Sequence, residues 1–254
     1  MTRRDFFYGL LAVLAGIPGG FSGLSGRKVR DVQSRQEKGA MQSEVIELPS
    51  PGKDGQVSIE RTLSSRRSRR EYRDDPIALE VVSQLLWAAQ GVTERRRRPS
   101  WWPEDREWNG GWRAAPSAGA LYPLEIYLVA GKVQDLPAGL YVYDPGPHGL
   151  RKSLSGDLRR DLAGAALGQD ALKAAPAILA ITGFVGRTAR KYGKRATRYV
   201  NMEVGHVGEN IYLQAEGLGL GTVMIGAFRD ARVGMVLQLD DGESPFALMP
   251  VGHV

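Results

Sequence analysis

Ala115-Pro116-Ser117-Ala118-Gly119-Ala120-Leu121-Tyr122-Pro123 runs straight into Leu124-Glu125-Ile126-Tyr127-Leu128-Val129. The first part is mostly small residues fenced by two prolines, too irregular for a helix and too poor in β-branched side chains for a strand interior. The apolar run behind it predicts a strand over 124–129. A loop fixed at both ends, with Ala118, Gly119 and Ala120 in its middle, leaves room for a flat group to approach the main chain, and Ser117 and the backbone N–H groups are donors. On these residues alone the plainer reading comes first: an ordinary tight connection before a buried strand. The rest of the chain decides between the two.

With 254 residues and 43% hydrophobic content, the chain can bury one sizeable core or two small ones, and collagen-like, coiled-coil and disordered classes are excluded. The formal net charge of +6 rests on a few arginine clusters in an otherwise mixed distribution, so it argues only weakly for a nucleic-acid partner, and none is expected. The chain has no cysteine, which removes disulfides, thiolate nucleophiles and Cys-ligated zinc or iron–sulfur sites. His148, His206 and His253 form no ligand-spaced pair, so no metal site is expected. There is no P-loop and no Gly-x-Ser-x-Gly elbow. Gly217, Gly219 and Gly221 follow a helical pattern and precede a strand, the reverse of the dinucleotide fingerprint.

Thr2-Arg3-Arg4-Asp5-Phe6-Phe7 heads a modest apolar stretch that reads as a twin-arginine export signal or anchor over 1–26. Gly16, Pro18, Gly19 and Gly20 argue against a buried helix there. No clear small-x-small cleavage site follows, so cleavage and retention as an anchor both stay open. The segment 27–57 is polar and rich in Pro and Gly and reads as a linker. The folded domain is expected over 58–254. Export of this kind carries proteins already folded, often with their cofactor, to an extracytoplasmic space.

Leu79, Val82, Leu86 and Ala89 make a helical stripe that Gly91 stops. Residues 94–112 then hold Arg95 to Arg98 in series together with Trp101, Trp102, Trp108 and Trp112. This is read as a lid or surface loop over a pocket, and alternatively as a basic, aromatic surface for an anionic polymer or a membrane. Strands are expected at 124–129, 140–143, 177–184, 222–228 and 247–251, with a helix at 157–167. The longest helical pattern spans 195–216, with Tyr199, Met202, His206, Ile211, Leu213 and Ala215 on its apolar side. Gly205 and Gly208 inside it imply close packing on a sheet or on a partner subunit. The intermixed elements and hairpin-like connections predict an α+β fold.

Ser65-Arg66-Arg67-Ser68-Arg69-Arg70-Glu71-Tyr72 carries the first chemical signal. If it is extended, Arg66, Ser68 and Arg70 share one face, two guanidinium forks and a hydroxyl suited to a phosphate monoester. A solvated basic face is the other reading. Together with the 115–123 loop and the Gly217–Gly221 turn, the segment supplies a phosphate clamp and two backbones open to close approach, the parts a flat phosphorylated cofactor needs.

The order Arg-Arg-Ser-x-Arg, Pro-Ser-Ala-Gly-Ala-Leu-Tyr-Pro, Lys-Tyr and Gly-His-x-x-x-Asn-x-Tyr-Leu-Gln-Ala-x-x-Leu-Gly-Leu-Gly resembles the nitroreductase superfamily, over about residues 59–252. Within it the sequence is most similar to the SagB-like branch of thiazoline and oxazoline dehydrogenases. The resemblance implies a homodimeric α+β fold, a central antiparallel or mixed sheet flanked by helices, with FMN at the subunit interface. It also implies an oxidoreductase that moves hydride or electrons through the flavin N5 between a small-molecule substrate and NAD(P)H or another donor. Carried over, Arg66 and Ser68 hold the phosphate, and Arg70 lies near the pyrimidine end of the ring. Pro116, Ser117, Ala118, Gly119, Leu220 and Gly221 contact the ring, with Ser117 donating toward its edge. Lys191 and Tyr192 are the candidate catalytic pair, a desolvated lysine acting as base, although a solvated basic loop fits the arginine-rich 187–198 equally well. Two departures stand out. Glu209 replaces an expected Gln, and the chain stops at Val254 where relatives carry another basic residue for the phosphate, which implies either weaker FMN binding or compensation by Arg67 or a partner chain. The alternative class is a non-enzymatic binding module using the Arg/Trp segment on an anionic polymer or membrane surface.

Overall fold

The computed structural model describes residues 45–97 and 111–254. The expected export signal, the part of the linker before residue 45, and Trp101, Trp102 and Trp108 lie outside them. In chain order the described elements are β1 (Val45–Glu47), α1 (Ile59–Ser65), α2 (Leu79–Gln90), β2 (Val92–Arg95), β3 (Gly111–Arg113), β4 (Leu124–Ala130), β5 (Gly139–Asp144) and β6 (Gly149–Ser155). These are followed by α3 (Arg159–Ala165), α4 (Asp170–Ala174), β7 (Ala177–Gly183), α5 (Val185–Tyr192), α6 (Ala196–Gly217), β8 (Leu220–Thr222), α7 (Asp230–Leu237) and β9 (Ser244–His253).

Seven of these strands form an antiparallel sheet in the order β1-β6-β5-β4-β7-β9-β8, and β2 and β3 form a separate hairpin. Every residue of β7, near the centre of the sheet, is buried. Because strand side chains alternate between faces, β4 sends Leu124, Ile126 and Leu128 to one core with α2 and α6, while Tyr127 and Val129 go to a second core with α3, α4 and α7. The molecule is therefore an antiparallel sheet with helices on both faces, the α+β arrangement the sequence predicts.

Three expectations change. The linker ends sooner than residue 57, because Val45 and Ile46 pair with Arg151 and Leu150 as the edge strand β1. Leu48 then enters the core, and Ser83 Oγ donates to the Pro49 carbonyl at 2.5 Å. An edge strand needs only one neighbour, so a three-residue piece suffices and leaves little periodicity to read. The strand expected at 222–228 shrinks to Leu220–Thr222. Beyond it the Met224 N–H is taken by the Tyr212 hydroxyl at 2.8 Å, and a lone bridge joins Ile225 to Leu248. On α6 the buried residues are Ala196, Val200, Glu203, Val204, Val207, Gly208, Ile211 and Ala215, whereas Met202 is 54% exposed and His206 also faces outward. The inward stripe runs Val200, Val204, Val207, Ile211 and Ala215, about a third of a turn or more from Met202 and His206, so the apolar side expected from the sequence is too broad.

The two glycines of α6 part company. A Cβ at Gly208 would come 2.1 Å from Met224 Cε, so this helix lies close on the β8–β9 side of the domain; at Gly205 a Cβ would meet nothing within 4 Å.

Candidate active site

Residues 114–123 link β3 to β4 through one 3₁₀ turn at Ala118–Ala120. Gly119, Ala120 and Tyr122 take left-handed backbone angles, with φ of 64°, 54° and 44°. Such angles cost a residue bearing a Cβ on the order of 1–2 kcal/mol and persist where the surroundings over-determine them. Tyr122 is pinned from three sides. Its N–H donates to Ser117 Oγ at 2.9 Å, its carbonyl accepts from Arg187 Nη1 at 3.1 Å, and the Arg113 guanidinium lies 4.5 Å from its ring centroid. Arg187 is itself paired with Glu125 at 2.5 Å. Burial pushes the Glu125 carboxyl up, and the Arg187 charge opposes that push.

Over this strained loop stand the two side chains expected to be catalytic. A Cβ at Gly119 would lie 2.8 Å from both Lys191 Nζ and Tyr192 Oη. Lys191 and Tyr192 end α5, a helix where the sequence left a basic loop open, and the Tyr192 ring packs edge-on against Tyr199 of α6 with centroids 4.8 Å apart. Lys191 is exposed in the single chain, so the desolvation expected of a lysine base is not supplied by this chain's own residues.

Ser117 Oγ accepts the Tyr122 N–H at 2.9 Å, and the hydroxyl is one of the groups that act on Glu203. Glu203 is 2% exposed on the inner face of α6, beside Gln90 from the end of α2 and Arg113 from β3. Arg113 Nη1 donates to Gln90 Oε1 at 3.0 Å. Three atoms of this cluster, Glu203 Oε1, Gln90 Nε2 and Arg113 Nε, close no hydrogen bond among the described residues. Burial pushes the Glu203 carboxyl up to about 7, with the Ser117 hydroxyl and the Arg113 charge pulling the other way. Burial also pulls the Arg113 guanidinium down from its ordinary value. Sequence reasoning passed over this cluster. The signal it offered was Glu203 itself, an acid set between Val200, Val204 and Val207 on a helix face that is otherwise apolar.

The arginine segment is extended, as its alternation requires. Arg69 N–H donates to the Thr222 carbonyl at 2.9 Å, and Ser68 bridges Thr222 in parallel. Arg66 and Ser68 meet on one residue of α6: the Arg66 guanidinium lies 5.1 Å from the Tyr212 ring centroid, and Ser68 Oγ is 3.1 Å from the Tyr212 hydroxyl. Arg67 Nη1 is engaged by the Ser64 and Arg66 carbonyls. Arg69 points the other way, its Cβ 3.0 Å from where a Cβ on Gly221 would be, a place that Val254 also crowds at 2.2 Å. Gly221 is thus required by the chain's own packing, whatever it meets outside. Arg67, Ser68, Arg69, Arg70 and Val254 line an open cleft of about 670 Å³. Arg69 lies beside Val254 where both approach Gly221. Leu220 is buried in β8 behind this cleft.

In the Arg/Trp segment, the described base is the β2–β3 hairpin. Trp112 is 51% exposed, with the Arg96 guanidinium 3.9 Å from its ring centroid.

The sequence profile of the Nitroreductase family matches residues 63–253. A Methanocaldococcus jannaschii protein named as a nitroreductase is 43% identical over 198 residues, 78% of this chain and 92% of that protein. The crystal structure of a nitroreductase from Ralstonia eutropha superposes with a TM-score of 0.67 at 31% identity, covering 84% of this chain and 91% of that one. The NADPH:FMN oxidoreductase of Vibrio harveyi, solved with NAD+, shares the fold, with a TM-score of 0.52 at 20% identity over 77% of this chain and 68% of that chain.

Proposed function

Since the chain belongs to the nitroreductase family, we propose that it is an FMN-dependent oxidoreductase acting on a small-molecule substrate. The observation that carries this reading is the convergence of Lys191 and Tyr192 on Gly119 of the 115–123 loop, which puts a cation and a phenol hydroxyl over a backbone that a flat ring can approach. The residues fit a flavin mononucleotide at both of its ends. Arg66, Ser68 and Arg70, with Arg67 and Arg69 beside them, offer the charge and donors for its phosphate and pyrimidine edge. Pro116, Ser117, Ala118 and Gly119, with Gly221 opposite Arg69, offer small residues for the ring. When bound, FMN supplies hydride chemistry at its N5. The protein's part is to hold the ring on the shelf and to present Lys191 and Tyr192 to the substrate above it.

A nicotinamide donor is supported by the name of the Vibrio harveyi structure, and a thiazoline or oxazoline dehydrogenase reaction by the Lys-Tyr pair. In the latter, Lys191 takes the substrate proton and Tyr192 orients it, which requires Lys191 to be covered. A homodimer would do so. Its support is the outward face of α6 around Met202 and Gly205, together with Ile59 and Leu63, each more than half exposed. Export rests on Arg3-Arg4 and the run behind them, and cell fractionation with N-terminal sequencing of the mature protein tests it.

The direct test is to purify residues 45–254 and identify what they carry. A yellow protein that releases FMN on denaturation, and whose colour bleaches with NADH, NADPH or an azoline substrate, is expected. A colourless protein that takes up no added FMN sinks the reading and leaves the Arg96–Trp112 surface as a binding module's.

A further inference from the structure

Helix α5 meets the 115–123 shelf at both of its ends. Its last two residues, Lys191 and Tyr192, stand over Gly119. At its entry the Phe184 N–H donates to the Pro123 carbonyl at 2.9 Å. Just beyond, the Arg187 guanidinium divides its fork: Nη1 donates to the Tyr122 carbonyl at 3.1 Å, and Nη2 pairs with Glu125 Oε1 of β4 at 2.5 Å. The same guanidinium lies 4.6 Å from the Phe184 ring centroid. Arg187 precedes Lys191 by one helical repeat, so both side chains stand on one face of α5. We infer that Arg187 is a positioning residue for the candidate site: by gripping the exit of the shelf it sets where Lys191 and Tyr192 come to rest over Gly119. Its importance for a bound ring rests on the flavin reading above.

Three observations carry it. The carbonyl that Arg187 holds belongs to Tyr122, the last left-handed residue of the shelf, and a residue with a Cβ keeps such angles only where its surroundings hold it. Ser117 takes the N–H side of Tyr122, and Arg187 takes the carbonyl side. Next, the junction needs a guanidinium. One rigid plane has to serve a carbonyl and a carboxylate on different elements, which the point charge of a lysine cannot do at once. Last, Arg187 is set apart from its neighbours. From Val185 to Met202 the chain carries Arg187, Arg190, Lys191, Lys194, Arg195 and Arg198 and no acidic residue. Among the described residues Arg187 alone of these closes an ion pair, with a carboxylate from another element. A solvated basic face explains the others and leaves Arg187 unexplained. Loosening Arg187 would free the exit of the shelf and the helix that carries Lys191 together, because one side chain joins them.

The experiment compares the purified full-length wild type with Arg187→Ala and Arg187→Lys by hydrogen exchange read by mass spectrometry, and by FMN dissociation constants from flavin fluorescence quenching. In Arg187→Ala, peptides from 115–123 and 185–192 should exchange about tenfold faster while those from β7 keep wild-type protection. Its FMN dissociation constant should rise about fivefold, the worth of roughly one hydrogen bond. Arg187→Lys, able to serve one partner but not both, should fall between. Millimolar guanidinium chloride, far too dilute to denature, should return both readouts of Arg187→Ala toward wild type and move neither in the wild type. A side chain that only stabilised the fold would show no such rescue. Arg187→Ala strands the partly buried Glu125 carboxylate, so if it folds poorly Arg187→Ala/Glu125→Gln, which removes that charge, should show the same loosening of 115–123 and 185–192. Wild-type protection of these peptides in a folded variant, or loosening in Arg187→Ala that guanidinium does not reverse, overturns the inference whether or not FMN binds. Loosened peptides with an unmoved FMN dissociation constant overturn it as well. A wild type that binds no FMN overturns the flavin reading, and exchange alone then decides whether Arg187 sets the end of α5.

Discussion

The shelf at 115–123 and the arginine segment at 66–70 are both backed by α6, about 13 Å apart along its axis from Glu203 to Tyr212, and they use it in opposite ways. Behind the shelf α6 offers a buried, under-bonded carboxylate, and the loop in front is bent through left-handed angles. Behind the arginines it offers Tyr212, whose ring and hydroxyl meet Arg66, Ser68 and the Met224 N–H, and the segment in front is extended and exposed. The difference is one of dielectric. Exposed guanidinium groups attract a phosphate from a distance and are screened by salt. A buried polar cluster exerts no long-range pull, but it fixes geometry and responds to protons.

The largest effect should come from breaking the shelf. Gly119→Val adds a Cβ at φ 64° and 2.8 Å from Lys191 Nζ and Tyr192 Oη, so FMN affinity should fall about a hundredfold, with a stability loss of about 1–2 kcal/mol. Titration calorimetry and thermal melts separate the two, and normal FMN binding by this variant would return the loop to an ordinary connection. Arg66→Ala should weaken FMN by about ten- to a hundredfold, the worth of a charged hydrogen bond, without lowering the melting temperature. It should also flatten the salt dependence of binding. If the shelf variant flattened it instead, the division of labour between the two regions would be wrong.

Next in size is a pH effect on the protein alone. The folded Glu203 carboxyl is raised above its unfolded value, so the folded state binds more protons between the ordinary glutamate range and about 7. Its contribution to stability is greatest below that range and is lost as pH rises through about 7. The melting temperature of Glu203→Gln minus that of wild type should therefore grow from about pH 5 to pH 8, whereas for Arg66→Ala the difference should stay level. Gly205→Ala should have the smallest effect, a gain of about 0.5–1 kcal/mol in the isolated chain from helix propensity. If the open face of α6 meets a second copy, the same change should weaken self-association in sedimentation velocity.

Local pattern carried the reading far where one residue type has one use. The α2 stripe with its Gly91 stop, the strands at β4 and β7, and the extended face shared by Arg66 and Ser68 were all legible, because period and turn chemistry belong to neighbours in the chain. Lys191 and Tyr192 were legible as a motif but not as a geometry: periodicity did not say that α5 would end with both over Gly119, some 70 residues earlier in the chain. Met202 and His206 were assigned to the wrong side of α6, since the apolar residues next to the Val200–Val204–Val207–Ile211 stripe widen it beyond the face that packing buries. The acid behind Ser117, Glu203, was not legible from the loop, because it lies far along the chain on another element.

From its residues alone the chain already specified an α+β domain, a phosphate-suited arginine face and a small-residue loop, for these follow from spacing, charge and side-chain size. Packing settled the rest. Burial in three dimensions raised the affinity of Glu203 for its proton, put Arg113 over Tyr122 and left three polar atoms behind the shelf with no partner among the described residues. No property of an isolated residue specifies those outcomes, because each depends on how much water the fold removes and on which distant side chains take its place.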